Sequence, residues 1–234
     1  MAELRGGTSG YAYKEWKGSF YPEKLPDREM LGFYGQQLRT VEINHTFYRI
    51  PTEKVLEAWA ESVPLGFHFV LKANQKITHI QQLRDCRETL RRFLEAASVL
   101  ARRELLGPIL FQLPPTFRAD AALLEDFLQL RPRAFRFALE VRHPSWHTDE
   151  TYSLLRRHGA ALCLAETDKD SPPDIVTADF VYARLRRPSY SAKELAAWKQ
   201  RCQAWQRQGL DVYLFFKHED AGQAPAYARR LLTS

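Results

Sequence analysis

Glu42, Asn44, Lys72, Gln112, Glu140, Arg142, Glu166 and Arg184 share one property: each stands in or at the end of a short apolar run. Arg142 and Arg184 suit a phosphate or carboxylate, because a guanidinium fork grips two oxygens at once. Lys72 fits a proton donor or the third cation of an anion clamp. A Schiff-base role would need its neutral amine, and nearby glutamates favour the ammonium. Glu42 and Glu140 can divide general base and general acid between them where their surroundings differ. Two glutamates are also the pair that a glycosidase uses. His143 adds a further acid or base, and Asn44, Gln112 and Tyr182 are suited to orient a substrate.

Metal chemistry competes for the same residues. His45, His143, His218, Glu42, Glu140, Glu166 and Asp168 would have to converge. The pattern is poor for it: there is no HxH or HExxH spacing, and cations stand among the acids. No cofactor is expected, with a divalent metal the less favoured alternative. His68 and His158 read as packed or solvated side chains, and His147 is ambiguous.

The elements that must carry these residues alternate. Strand-like runs, short and rich in β-branched or aromatic residues, occupy 5–10, 40–44, 67–73, 109–113, 136–142, 161–167, 180–186 and 211–217. Between them lie helical periods. Leu195, Trp198, Cys202 and Trp205 form one apolar stripe, opened by a Ser191–Glu194 capping box and closed by Gly209. Leu90, Phe93, Leu94, Ala97, Leu100 and Ala101 form a second. Val55, Leu56, Trp59 and Val63 form a third, and Leu123, Leu124, Phe127 and Leu128 a fourth.

Eight strands alternating with helices, with no linker or shift in composition, predict a single TIM-like (β/α)8 barrel over residues 1–234, compact and irregular. Only about a dozen residues, including Ser171-Pro172-Pro173, separate the sixth and seventh strands, too few for a full crossover helix. A short or degenerate helix is expected there. An open doubly wound sheet is the alternative, but neither GxGxxG nor a P-loop supports it.

Barrel strands are covered on both sides, so polar residues near their C-terminal ends point to the mouth, where active sites of this fold sit. Strand alternation pairs Glu42 with Asn44, His68 with Val70 and Lys72, Glu140 with Arg142, and Tyr182 with Arg184. Counting Glu166 among them gives three acids against Lys72, Arg142 and Arg184. The bland alternative is a neutral ionic plug, which apolar packing would replace at no loss of stability.

The chain has 234 residues, 45% hydrophobic and 12% aromatic, which excludes disorder. No apolar run is long enough to span a membrane, and no signal-like layout opens the chain. Cys86, Cys163 and Cys202 are scattered, which argues against a disulfide framework and for a reducing, cytoplasmic setting. The net charge of +6 permits an anionic partner without selecting nucleic acid. Tyr11, Tyr13, Trp16, Phe20, Tyr21, Phe47, Tyr48 and Trp146 follow strand ends. Their rings can stack on a sugar or base, with Trp16 and Tyr48 the named candidates, or they can cap the mouth as a satellite core. With Arg186, Arg187 and Lys217 they would form a basic aromatic rim, the best argument here for a nucleic-acid partner.

Several blocks together resemble the YecE-like family, known as domain of unknown function seventy-two. They are GTSGYAYKEWKGSFYP (7–22), VEINHTFYRIP (41–51), FVLKA (69–73) with ITH (77–79), LFQLPP (110–115), ALEVRHPSW (138–146), TADFVYARL (177–185) and VYLFFKHEDAGQAPAYARRL (212–231). The resemblance implies an irregular β/α barrel and no particular reaction. Residues on its motifs include Gly10, Trp16, Glu42, Asn44, Phe47, Tyr48, Lys72, His79, Gln112, Glu140, Arg142, His143, Trp146, Asp179, Tyr182 and Arg184. Phe215-Phe216-Lys217-His218 departs from the Phe-x-Asn-Asn common there.

The resulting expectation is an enzyme of the hydrolase or lyase class acting on a small anionic or phosphorylated substrate. Arg142, Arg184 and Lys72 clamp the anion, and Glu42 or Glu140 moves protons. Glu140→Gln should then abolish turnover and leave the fold intact. The alternatives are a nucleic-acid-binding protein or metal-dependent nuclease, and a non-enzymatic metabolite-binding protein.

Overall fold

A computed structural model describes residues 2–168, 173–217 and 222–233. Eight parallel strands, β1 (Leu4–Ser9), β2 (Thr40–Ile43), β3 (His68–Lys72), β4 (Leu106–Gln112), β5 (Phe137–Glu140), β6 (Ala161–Glu166), β7 (Phe180–Leu185) and β8 (Asp211–Phe216), close in sequence order. Closure is made by β8 on β1, in register from Leu4 against Val212 to Thr8 against Phe216. Outside run α1 (Met30–Gln37), α2 (His45–Tyr48), α3 (Glu53–Glu61), α4 (Arg87–Ala101), α5 (Ala121–Gln129), α6 (Asp149–Arg157), α7 (Ala192–Arg207) and α8 (Gln223–Thr233).

Local sequence accounts for most of these elements. On α7, Ser191 and Glu194 exchange the two bonds of a capping box, and Leu195, Trp198, Cys202 and Trp205 are its buried stripe. Gly209 follows its C-cap with a left-handed φ of 82°. The stripes on α4 and α5 are likewise buried or half-buried. On α3 the stripe is narrower than its spacing predicts: Leu56 is buried and Trp59 half-buried, while Val55 is 40% exposed. Strand β4 begins three residues earlier than the apolar run suggests, because it takes in Gly107-Pro108. Proline has no ladder N–H, and the register against β3 slips there, Phe69 pairing with Leu106 but Leu71 with Ile109.

The β6–β7 connection bears out the expected irregularity: residues 167–168 and 173–179 contain no helix. Thr177 instead lays its hydroxyl on the start of β6, accepting from Leu162 N and donating to Ala160 O, both at 2.7 Å. Ser171 and Pro172, also part of that expectation, lie outside the described residues.

Two cores result. One fills the space between strands and helices. The other fills the barrel itself with Val70, Leu110, Ala138, Ala161, Cys163, Phe180, Tyr182, Tyr213 and Phe215. At the N-terminal end of the barrel His68 Nδ1 meets Tyr213 Oη at 2.7 Å. The aromatic residues after β1 form a satellite core: Trp16, Phe20 and Tyr21 are buried, and Phe20 packs edge-on against Phe33 and Tyr34. Among the described residues no helix is long and apolar enough to cross a membrane.

Candidate functional site

Strand alternation sends Ser9, Glu42, Lys72, Gln112, Glu140, Arg184 and, one step past β7, Arg186 toward the C-terminal end of the barrel. Glycine makes room for the β1–β2 corner. A Cβ at Gly7 would lie 2.2 Å from Thr40 O, and Gly10 has φ +95° with the Tyr13 ring where a Cβ would be. Gly10 N in turn donates to Glu42 O at 2.8 Å.

The lower tier of the mouth is closed. Arg184, its side chain 3% exposed, donates through Nη2 to Glu42 Oε1 at 2.8 Å and through Nη1 to Glu140 Oε2 at 2.5 Å. Glu42 also accepts from the Ser9 hydroxyl and, at 2.5 Å, from the Tyr182 hydroxyl. Glu140 accepts from three donors, Arg184, Gln112 Nε2 at 3.0 Å and Arg142 Nε at 2.9 Å, and is ion-paired with Arg186 Nη2 at 3.1 Å. Burial alone would raise the Glu140 carboxyl, but Arg184, Arg186 and Arg142 outweigh it and hold the group well below the usual carboxylate range. Burial and the adjacent Glu42 carboxylate push the Tyr182 phenol well above its ordinary value.

The upper tier is open and cationic. Arg142 is 32% exposed along its side chain and Arg186 17%. Lys72 is half-buried, its Nζ 4.0 Å from the centre of the Phe47 ring. Burial, with Arg184 beside it, lowers Lys72 to about 8, although Glu42 and Glu140 pull the other way. The same Phe47 ring packs edge-on against His79, whose pKa is lowered by burial and by the Lys72 and Arg142 charges. His79 rides on a single π-helical turn, Lys76–Ile80, followed by two left-handed residues, Gln82 at φ 47° and Leu83 at φ 67°. Strained backbone of this kind tends to gather at functional sites.

The structure therefore brings together Glu42, Asn44, Lys72, Gln112, Glu140, Arg142 and Arg184. Asn44 reaches the group through Nδ2, which donates to Ser9 Oγ at 2.9 Å. Tyr182 belongs to the same network from below, fully buried, so it supports Glu42 and is closed to a substrate. Trp16 is likewise fully buried within the satellite core and presents no face for stacking. Tyr48 is 69% exposed on the rim beside Phe47. His143 folds back on its own turn, Nδ1 accepting from Ser145 N at 3.1 Å.

Glu166 corrects the expected composition. It shares its strand face with Leu162 and Leu164, while Cys163 lines the barrel with Ala165 packed beside it. The Glu166 carboxylate thus turns outward, accepting from Trp198 Nε1 on α7 at 3.2 Å. The mouth holds two carboxylates against Lys72, Arg142, Arg184 and Arg186, and is positive where a balance was expected. Sequence reasoning had Arg186 only on the rim and missed Ser9. Both were accessible from alternation, as the residues in phase with Arg184 and with Gly7.

Of the candidate metal ligands, His45 is exposed, Glu166 faces α7, and His218 lies outside the described residues. Among the described residues no three His, Cys, Asp or Glu side chains come together so as to hold a metal ion. The acids that are central, Glu42 and Glu140, are occupied by protein donors.

A closed eight-stranded β/α barrel with an ionic network at its C-terminal mouth is thus the class of molecule. The family model "Protein of unknown function DUF72" matches residues 5–234, and the chain belongs to that family. It is similar to the UPF0759 protein YecE of Escherichia coli K12, 28% identical over 227 residues covering 85% of this chain and 82% of the relative. The crystal structure of a DUF72 family protein from Thermotoga maritima superposes with TM-score 0.89 at 27% identity, covering 98% of both chains. An AP endonuclease, family 2, from Brucella melitensis shares the fold, with TM-score 0.58 at 11% identity over 97% of this chain and 96% of that one.

Proposed function

We propose that the barrel mouth binds a small anionic or phosphorylated molecule and acts on it by proton transfer, within the hydrolase or lyase class. One observation carries this reading: four cations surround two carboxylates whose oxygens already accept from protein donors. Arg184 is spent on Glu42 and Glu140. Lys72, the Nη atoms of Arg142, and Arg186 remain to meet an anion. Among the described residues the buried Nε atoms of both Arg184 and Arg186 have no acceptor, and buried donors are seldom left so.

This assignment moves the acid–base role away from the glutamates. Glu140, strongly acidic, hydrogen-bonded by three donors and ion-paired with Arg186, serves to aim three guanidinium groups. Lys72 and His79, with pKa values lowered toward or below neutrality, are the groups suited to exchange protons at the mouth. Sulfate titration by calorimetry tests the binding step. One saturable site is expected, weakened about tenfold by either Lys72→Met or Arg142→Met, a loss of roughly 1.4 kcal/mol each. Unchanged affinity in both variants would place the anion elsewhere.

A further inference from the structure

Most rings that follow the strand ends go into packing: Trp16, Phe20, Tyr21 and Trp146 are buried. Tyr48 does not. It stands 69% exposed at the end of α2, and Ile80, on the π-helical turn after β3, is exposed to the same degree. Phe47 joins both to the cations. The Lys72 ammonium lies 4.0 Å from the centre of its ring, a contact that favours and orients the charged amine. The same ring stands edge-on to Tyr48 at 5.1 Å and to His79, the neighbour of Ile80, at 4.9 Å. The wall of the mouth after β2 and β3 is thus aromatic and apolar, and the wall after β5 and β7, with Arg142 and Arg186, is cationic. Scattered apolar side chains are ordinary on a surface. An open ring packed on the ring that seats a cation suits a ligand with one charged end and one planar end.

We propose that the anion at the mouth is the phosphate of a nucleoside monophosphate whose base stacks on Tyr48. This rests on the anion-site reading above and names its ligand class. Lys72, Arg142 and Arg186 take the phosphate oxygens, and the open face of Tyr48 takes the base. Two ring contacts, of 4.0 Å and 5.1 Å, separate the ammonium from the Tyr48 ring, a gap that one sugar bridges. Every base has a π-face, so the site distinguishes the presence of a base rather than its identity.

A free nucleotide fits these cations better than a strand does, because they form one cluster. Arg142 and Arg186 both turn to Glu140, and Arg187, next along the rim, is ion-paired with Glu194 at 2.6 Å. A strand would call for cations tracking its backbone and for successive stacking rings.

Calorimetry on the full chain with adenosine 5′-monophosphate, ribose 5-phosphate, adenosine and sulfate tests this. The nucleotide should bind about tenfold tighter than either ribose 5-phosphate or adenosine, and sulfate should compete with it. Tyr48→Ala should erase the preference for the nucleotide over ribose 5-phosphate, and Tyr48→Phe should keep it. Equal affinities for nucleotide and ribose 5-phosphate, with sulfate still bound, overturn the nucleotide and leave the anion site standing. Binding of none of the three anions overturns both. A preference that survives Tyr48→Ala overturns the stacking assignment. A 5′-phosphorylated tetranucleotide that binds tenfold tighter than the mononucleotide overturns the free nucleotide in favour of a strand.

Discussion

Arg184 Nη1 meets Glu140 Oε2 at 2.5 Å, with both side chains closed to solvent. The pair sits at the centre of the mouth, and Arg142 and Arg186 above it are directed at the same Glu140 carboxylate. Removing one member of a buried, hydrogen-bonded ion pair leaves the other's desolvation uncompensated.

Glu140→Gln therefore acts first on stability. The sequence alone suggests a variant with an intact fold. With Arg142, Arg184 and Arg186 all directed at this carboxylate, the expected loss is roughly 3–5 kcal/mol in urea denaturation. A change below about 1 kcal/mol, the range of a solvated surface pair, would show that Glu140 does not organise the arginines.

Anion affinity should depend on pH through Lys72. Its folded pKa is depressed to about 8, so it is mainly cationic at pH 7 and mainly neutral by pH 9. Sulfate, which does not titrate in this window, should bind more weakly as pH rises through 8. Lys72→Arg should hold the affinity level across the same range. A flat wild-type profile would separate Lys72 from the anion.

Stability should fall on the acid side through His68. Burial and the nearby Arg5 charge lower its pKa from 6.5 to about 4, so the unfolded chain binds a proton that the folded one refuses between those values. By linkage, stability rises with pH across that interval. Urea midpoints measured from pH 4 to 6.5 should show this slope, and His68→Gln should flatten it.

At the β1–β2 corner, Gly7→Ala should cost about 2 kcal/mol, since the new methyl meets the backbone oxygen of Thr40 rather than a mobile side chain. Thermal unfolding reports it directly. An unchanged melting temperature would mean that the two strands can part without penalty.

Glu166→Gln checks the correction made at β6. It should alter the contact with Trp198 and leave sulfate affinity unchanged. A drop in affinity of threefold or more would return this carboxylate to the mouth.

Eight strands, their order and most helix stripes were legible because alternation and a 3.6-residue period are direct imprints of burial. The same rule explains what was misread. Glu166 was placed by its polarity at a strand end, although its phase with Leu162 and Leu164 turns it to α7. Ser9 went unnoticed because a small hydroxyl leaves no charge signal, and Arg186, the last residue of the 180–186 run, was read with the rim aromatics. Roles were harder to read than positions. Nothing in the spacing of Glu42, Glu140 and Arg184 tells that one guanidinium bridges both carboxylates. Trp16 and Tyr182 could be placed near the mouth from order alone, but their burial depends on packing between segments far apart in the chain.

The central claim is that a small anion is held by Lys72, Arg142 and Arg186 at the C-terminal mouth. The most direct test is anomalous diffraction from crystals soaked in tungstate, an oxyanion with the tetrahedral shape of phosphate. The account predicts a peak within hydrogen-bonding distance of Lys72 Nζ and the Arg142 Nη atoms. Peaks confined to other basic ground, such as the cavity lined by Arg131, Arg133, Arg136 and Arg156 at the opposite end of the barrel, would contradict it.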